Sequence, residues 1–227
     1  MSGNRSANSH CSVKESEGLC DTSPMSVVDT GDGIGRCGWC TSAPDYIAYH
    51  DHEWGVPVSG DIAYFERLTF EAFQSGLSWL IVMRKRPAFR AAFAKFDPDV
   101  VASFGDADRE RLLADPGIIR NRAKIDATIT NARALRRLRD AEGEGALDRL
   151  IAAHRPSESD LRREGFRRPP RDSGDLPTET AASKALAKAL KSRGFAFVGP
   201  TTVYAGMQAN GLVDDHLEGC FRRGSRT

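Results

Sequence analysis

The sequence lacks three features that would assign its class at once: a long apolar run, a large net charge and many cysteines. No stretch of about 18 apolar residues occurs, which argues against a membrane span. No apolar segment typical of a secretory signal follows the N-terminus. Lys and Arg total 32 against 31 for Asp and Glu, so composition alone does not indicate a nucleic-acid ligand. We therefore expect an ordinary globular protein of the cytoplasm.

The cysteine content is low and odd, at five. Because no export signal is seen, we expect the cysteines to bind a metal or to be free thiols rather than to form a disulfide framework. Residues 1–35 are rich in Ser, Gly, Asp and Asn, which predicts a disordered extension carrying Cys11 and Cys20. Residues 36–221 then form the single predicted domain, and the basic residues 222–227 a frayed tail.

Apolar residues recur at helical spacing through most of residues 36–221, and strand signals are weak, so the predicted fold class is all-α. Gly76 should interrupt the segment 61–83, and residues 155–177 read as a long loop with room for a short helix. Five other helices are predicted. One begins at Asp97-Pro98, a second is capped by Asp106, and a third spans 121–138 with an apolar stripe of Ile125, Ile129, Ala132 and Leu135. The last two span 179–191 and the segment from Gly199-Pro200 to Gly211.

Two thiols and two imidazoles stand near the ends of this domain: Cys37, His50, His216 and Cys220. This donor set suits tetrahedral zinc, and four protein ligands would make the site structural. His216 and Cys220 are four residues apart, so one helical turn would place them on one face. Two buried cysteines and two incidental histidines would give the same spacing. Cys40 adds a further ambiguity, because Cys37 to Cys40 is a C-x-x-C pair.

An aromatic cluster and one carboxylate indicate a possible binding pocket. Four aromatic residues, Trp39, Tyr46, Tyr49 and Trp54, lie within sixteen positions, and Trp79 follows. Such rings could stack an extruded nucleobase, preferably a cationic one, or simply form core. Glu71 lies in a mostly apolar helix, where a buried carboxylate needs a partner or a function. An exposed helix glutamate is the alternative.

A turn at Asp115-Pro116-Gly117 precedes a strongly basic segment. A helix, a Pro-Gly turn and a basic helix are typical of a helix-hairpin-helix, whose backbone grips a phosphate independently of sequence. We therefore expect Gly117, Arg120, Arg122 and Lys124 to contact DNA. The basic residues that follow, as far as Arg139, extend the predicted surface, although a solvated helix face would look alike.

A series of motifs runs in order from Arg36 to Cys220. They are Arg36-Cys37-Gly38-Trp39, residues 46–51, residues 53–57, Gly76-Leu77-Ser78-Trp79, Phe96-Asp97-Pro98, residues 117–122, residues 191–199, Met207-Gln208-Ala209 and residues 211–216. Together these motifs resemble those of the DNA-3-methyladenine glycosylase I family.

The resemblance implies a helix-hairpin-helix glycosylase fold with a structural zinc ion joining its first and last segments. It implies a monomer that hydrolyses the N-glycosidic bond of 3-methyladenine in alkylated double-stranded DNA and leaves an abasic site. Glu71 would recognise the base, and Gly76 and Leu77 would enter the stack. The implied zinc ligands are Cys37, His50, His216 and Cys220, and the implied base-binding residues are Tyr49, Trp79, Trp39, Tyr46 and Trp54.

One departure from the family pattern is Phe73, at a position where a relative carries a polar residue, which predicts a changed pocket wall. Two other functions fit part of the sequence. A non-catalytic zinc-dependent DNA-binding module would explain the turn and the basic helix but not Glu71. A zinc hydrolase would need an open metal position, which four protein ligands do not leave.

Overall fold

A computed structural model describes residues 25–225, and these fold into ten α-helices and one two-stranded antiparallel sheet. The all-α prediction is confirmed for the bulk of the chain. None of the helices in this range is long and apolar enough to cross a membrane.

The sheet is a hairpin near the start of the described chain. Strand β1 (Val27–Asp29) pairs with strand β2 (Gly35–Cys37), with Val28 opposite Arg36. The Asp29 carboxylate closes the turn by accepting hydrogen bonds from the backbone N–H groups of Gly31 and Gly33, at 2.8 and 3.0 Å. The predicted domain start at residue 36 is therefore too late, because polar and glycine-rich residues here build a turn. Cys11 and Cys20 lie outside the described residues.

The predicted tail boundary at residue 222 is also displaced. Arg223 donates to the Asp214 carbonyl at 3.2 Å, and the Gly224 N–H donates to the Asp214 carboxylate at 3.0 Å. These contacts attach residues 222–225 to the domain, and the two residues beyond them are not described.

The helices have the following bounds: α1 Pro44–His52, α2 Asp61–Gln74, α3 Trp79–Ala92, α4 Pro98–Ala102, α5 Asp106–Ala114, α6 Arg122–Glu142, α7 Ala146–Ala152, α8 Glu158–Arg163, α9 Ala181–Ser192 and α10 Pro200–Ala209. The break at Gly76, the short helix in the long loop and the helix starting at Pro200 match the predictions. Helices α1 and α7 were not predicted.

Local chemistry explains where several helices begin. Asp97 caps α4, as predicted, by accepting from the backbone N–H groups of Asp99 and Val100 at 2.9 and 3.2 Å. Helix α5 differs from its prediction, because Gly105 is the N-cap and Asp106 is the first helical residue. Asn121 caps α6 through Lys124 N–H at 3.2 Å.

Helix α6 supplies the central wall of the core. Its predicted stripe of Ile125, Ile129, Ala132 and Leu135 is at most 1% exposed, which confirms the helical periodicity. Phe73 on α2 is fully buried and packs edge-to-face on Phe89 of α3, with ring centroids 4.6 Å apart. Phe73 is thus part of a phenylalanine core. Its ring contacts Phe89 and Phe93 rather than the aromatic residues of the predicted pocket.

Candidate functional site

The four predicted metal ligands meet in one buried cluster. The donor atoms of Cys37, His50, His216 and Cys220 all lie within 4.8 Å of one another. The Cys220 sulfur is 3.4 Å from His50 Nε2 and 3.6 Å from His216 Nδ1. A tetrahedral zinc ion would hold sulfur and nitrogen ligands about 3.6 Å apart. The donor set and its spacing therefore fit a tetrahedral metal with no open position.

Neighbouring groups hold the ligands in orientations suited to metal binding. His50 Nδ1 lies 2.8 Å from the Asp51 carboxylate, which in turn accepts from Arg36 Nε at 2.9 Å. With its Nδ1–H donated to Asp51, His50 presents the lone pair of Nε2 to the cluster. The Leu217 N–H donates to the Cys37 sulfur at 3.3 Å. A hydrogen bond from Cys37, supplemented by the two histidines, lowers the pKa of the Cys220 thiol, which favours a thiolate ligand.

One prediction about this cluster is wrong in detail. His216 and Cys220 do not share a helical face, because residues 214–220 form an irregular segment with a turn beyond α10. The segment reaches the cluster because Tyr204 and Gln208 of α10 both donate to Asp215, at 2.5 and 2.8 Å. Cys40 is fully buried but does not belong to the four-residue group.

The five predicted aromatic residues lie together beside this cluster. Trp39 contacts three of the others: its ring centroid lies 5.1 Å from that of Tyr46, 6.4 Å from that of Tyr49 and 5.1 Å from that of Trp54. Tyr49 also contacts Trp79 at 5.3 Å. Helix α1 makes this possible, since it places Tyr46, Tyr49 and His50 on its buried side. One short helix therefore serves both the metal cluster and the aromatic group.

Glu71 is buried in α2 next to these rings, as predicted, and is 5% exposed. A Cβ placed on Gly206 would lie 3.7 Å from Glu71 Cγ, so α10 packs closely on this side chain. No residue between 25 and 225 hydrogen-bonds to the Glu71 carboxyl. Burial raises its pKa to about 8, and the charge of Arg67 opposes that rise.

A second unpaired polar group lies in the same region. The indole N–H of Trp79 is buried and has no hydrogen-bond partner among the described residues. Buried polar atoms without partners are uncommon in folded proteins, and each calls for an explanation. An unpaired acceptor at Glu71 and an unpaired donor at Trp79 are what a pocket for a planar polar ligand requires.

Three charged residues that were not singled out from the sequence surround Tyr49. Arg86 of α3 lies over the Tyr49 ring, 5.5 Å from its centroid. Arg86 also donates to both carboxylate oxygens of Glu53, at 2.5 and 2.9 Å. Arg67 of α2 lies 3.8 Å from the same carboxylate. Glu53, Arg67 and Arg86 are far apart in the sequence, so their proximity could not be predicted from it. The one available signal was that Arg67 and Arg86 lie in mostly apolar helices, where a buried charge needs a partner.

The loop between α2 and α3 exposes a large apolar side chain. Gly76 has φ of 80°, a conformation that favours glycine, and Leu77 is 41% exposed. Lys124 secures this loop from behind, donating to the carbonyls of Phe73 and Ser75 at 2.8 and 2.6 Å. Lys124 is buried, so its predicted contact with DNA is corrected to a structural role that presents Leu77.

The predicted basic surface divides into two groups. Arg120 and Arg122 are exposed around the start of α6. By contrast, Arg133 donates to the carbonyls of Ala102 and Phe104, at 2.9 and 3.0 Å. The other arginines engaged within the protein are Arg136, paired with Asp99, and Arg139, paired with Asp61. Much of the basic stretch therefore anchors α6 to its neighbours.

The turn before α6 is rigid. The Gly117 N–H donates to the Asp115 carboxylate at 2.7 Å, and Lys85 Nζ donates to the carbonyls of Pro116 and Gly117, at 2.9 and 3.1 Å. A Cβ on Gly117 would lie 3.0 Å from Ala88 Cβ. Gly117 thus allows a close approach of α3, and its own N–H is already engaged.

Comparisons with known proteins agree on one family. Residues 39–223 match the family model described as methyladenine glycosylase. The chain is 46% identical to DNA-3-methyladenine glycosylase 1 of Escherichia coli over 187 residues, covering 82% of this chain and 95% of that protein. A crystal structure of 3-methyladenine DNA glycosylase I matches with a TM-score of 0.74 and 43% identity, covering 83% and 99% of the two chains.

A further solved structure concerns 3-methyladenine recognition by 3-methyladenine DNA glycosylase I from Staphylococcus aureus. It matches with a TM-score of 0.72 and 30% identity, covering 82% of this chain and 95% of that one. The matched region contains the whole metal cluster except Cys37, and the whole aromatic group.

Proposed function

Since the chain belongs to the methyladenine glycosylase family, we propose that it excises 3-methyladenine from alkylated double-stranded DNA and leaves an abasic site. The observation that supports this most strongly is Glu71, a buried carboxyl among aromatic rings that has no hydrogen-bond partner in the described part of the chain. The relatives named above are 3-methyladenine glycosylases.

The proposed base pocket combines stacking with charge. Tyr49 and Trp79 stack the flipped base, and Trp39, Tyr46 and Trp54 support them from behind. Glu71 accepts hydrogen bonds from donors on the base edge. The faces of aromatic rings attract positive charge, and 3-methyladenine in DNA is cationic. An anionic carboxylate and electron-rich rings therefore favour this lesion over neutral adenine.

The chemistry asks little of a catalytic base. When the bond between the base nitrogen and sugar C1′ breaks, its electron pair moves onto the base and neutralises the positive charge. Water supplies the hydroxyl that bonds to C1′ and releases its remaining proton to solvent. Holding the flipped base in a pocket that favours its departure contributes through orientation and electrostatics.

DNA is held at two places in this proposal. Leu77, presented by Gly76, fills the gap left in the base stack, since flipping leaves an unstacked step. Helices α5 and α6 with the Gly117 turn act as a helix-hairpin-helix. The backbone N–H groups of Arg122 and Ala123, which stand in the first turn of α6 ahead of the capped Lys124 N–H, would face a phosphate. Arg120 and Arg122 add positive charge beside it.

The metal is proposed to be a structural zinc ion bound by Cys37, His50, His216 and Cys220. When bound, it supplies a fixed cross-link between the hairpin, α1 and the segment beyond α10. The ligand residues orient that cross-link, and α1 then fixes Tyr49. The glycosylase domain proposed from the sequence, residues 36–221, is extended to include the hairpin.

The remaining part of the proposal concerns the cellular setting. We propose that the protein acts as a monomer. We also propose that it acts on DNA in the cytoplasm, because the relatives are bacterial and the proposed substrate is the chromosome.

The proposal is tested by incubating the purified, zinc-loaded protein with methylated DNA and identifying released bases by chromatography. Release of 3-methyladenine, together with new abasic sites in the DNA, is the expected result. A non-catalytic DNA-binding module would retain the DNA and release no base. A zinc hydrolase would lose its activity when a chelator removes metal from a protein that remains folded. Either result would contradict the glycosylase proposal.

A further inference from the structure

Arg67 is a largely buried cation without a full set of hydrogen-bond partners among the described residues. It lies in the middle of α2, and its side chain is 14% exposed. Its Nη1 is buried and has no hydrogen-bond partner among the described residues. Burying a charge is costly unless its hydrogen bonds are satisfied, so Arg67 needs an explanation.

The position of Arg67 provides one. Arg67 and Glu71 are four residues apart in α2, and side chains at this spacing are neighbours on one helix face. No hydrogen bond joins them, because the guanidinium is drawn toward Glu53, 3.8 Å from its Nη2. The Glu71 carboxyl thus has a cation nearby while its oxygens stay free for another donor.

The other titratable groups around Glu71 do not supply this charge. Helix α1 contributes the hydroxyls of Tyr46 and Tyr49, and burial raises the pKa of both, so they stay neutral. Helix α10 contributes Gly206 at the contact. Arg86 of α3 lies over the Tyr49 ring and is bound to both oxygens of Glu53. Arg67 is the charged group whose effect on the Glu71 pKa is resolved.

We propose that Arg67 is a positioning residue that acts through Glu71, its charge favouring the ionised form of the buried carboxyl, which accepts hydrogen bonds from a flipped cationic base. This inference rests on the proposed function. To the proposed function it adds Arg67, a residue outside the aromatic pocket. Glu53 holds the Arg67 guanidinium in place, and the Arg67 charge makes the pocket more favourable for a cationic base.

The sign of the effect follows from linkage between charge and protonation. Burial raises the pKa of Glu71 and the charge of Arg67 opposes that rise, and the net pKa is about 8. An ionised Glu71 is required, so excision should fall as pH decreases through that pKa. Removal of the Arg67 charge raises the pKa further and moves the decline to higher pH. An opposite charge within about 4–6 Å of a carboxyl lowers its pKa by about one unit or more, and side chains four residues apart on a helix are neighbours at about this spacing.

The first test compares single-turnover excision of 3-methyladenine by the wild type, Arg67→Met and Arg67→Lys, from about two pH units below the Glu71 pKa of about 8 to more than two units above it. In Arg67→Met the acid side of the profile should move up by about one pH unit, so that the rate there is about tenfold lower. The rate at high pH should be retained, and Arg67→Lys should keep the wild-type profile.

The matched control is Arg162→Met. Arg162 and Glu158 have the same four-residue spacing on a helix, but both are exposed, at 71% and 87%. This variant should leave the profile unchanged. If Arg67→Met does not fold, Arg67→Gln removes the charge while retaining a polar side chain. A uniform loss of rate at every pH, shared by Arg67→Lys, would indicate a purely structural role and overturn the proposal.

A second readout does not depend on activity. NMR titration of carboxyl-labelled glutamate follows the Glu71 carboxyl, assigned by its absence in Glu71→Gln. Its pKa should be higher in Arg67→Met than in the wild type, and an unchanged pKa would overturn the proposal. If the wild type released no 3-methyladenine, the proposed function would fail, whereas this titration would still decide whether Arg67 controls Glu71.

Discussion

The metal cluster and the base pocket share helix α1 but differ in how their polar groups are satisfied. In the cluster, His50 is bound to Asp51, and the Cys37 sulfur accepts from the Leu217 backbone. In the pocket, the Glu71 carboxyl and the Trp79 indole N–H have no hydrogen-bond partners among residues 25–225. The two regions lie side by side, since Trp39 contacts both His50 and Tyr49.

This difference separates groups that hold the fold from groups kept available for a ligand. Unsatisfied buried polar groups cost stability, and a site can retain them where a ligand will satisfy them. The contrast predicts that variants in the cluster will affect stability, whereas variants in the pocket will affect activity.

The largest expected effect is on the cluster side of the comparison. Cys220→Ala removes one of four ligands, and loss of the metal should lower the free energy of unfolding by about 4 kcal/mol or more. Zinc content by mass spectrometry and thermal unfolding measure this. Cys40→Ala, a buried thiol outside the cluster, is the control and should keep its zinc. Full zinc content in Cys220→Ala would break the comparison.

A smaller effect on stability is expected at Lys124, which stabilises the fold but supports the loop that carries Leu77. Lys124→Met leaves the carbonyls of Phe73 and Ser75 without their donor, which should cost about 2 kcal/mol of unfolding free energy. Chemical denaturation measures the loss. Because Lys124 is buried, the salt dependence of DNA binding should not change. A reduced salt slope with unchanged stability would instead place Lys124 in contact with phosphate.

The smallest expected effect is on the exposed surface. Arg122→Ala should weaken DNA binding slightly and reduce the slope of log affinity against log salt by about 1, with stability within about 0.5 kcal/mol of the wild type. Binding titrations at several salt concentrations provide the measurement. Arg162→Ala, an exposed arginine on α8, is the control. Equal slopes for both variants would exclude Arg122 from the DNA surface.

The sequence predicted the features that depend on local pattern. The apolar stripe of α6, the break at Gly76 and the cap at Asp97 follow from periodicity and from the backbone preferences of single residues. The four metal ligands and the pocket aromatics came from donor type, clustering and family resemblance. The structure places each of these sets together.

What could not be predicted depends on contacts between distant segments. Lys124 and Arg133 carry the same charge as Arg122, but only the tertiary structure shows that they bind backbone carbonyls. Arg67 was not recognised because its significance comes from Glu53 and Glu71 together. The hairpin at Val27–Asp29 was missed because two three-residue strands carry too little pattern to stand out from a polar segment.

The most direct test of the comparison measures base release and thermal stability on one preparation of Glu71→Gln. The folded-state pKa of Glu71 is raised to about 8 from an ordinary value of 4.5. The native state therefore holds its proton more tightly, and this group's contribution to stability falls as pH rises between these values. Gln removes that loss, so at pH 8 the variant should melt at the wild-type temperature or above. Release of 3-methyladenine should fall by about 100-fold or more, because the charge that stabilises the departing base is lost. Unchanged release, or a loss of release that accompanies a lower melting temperature, would contradict the assignment of Glu71 to function rather than to fold.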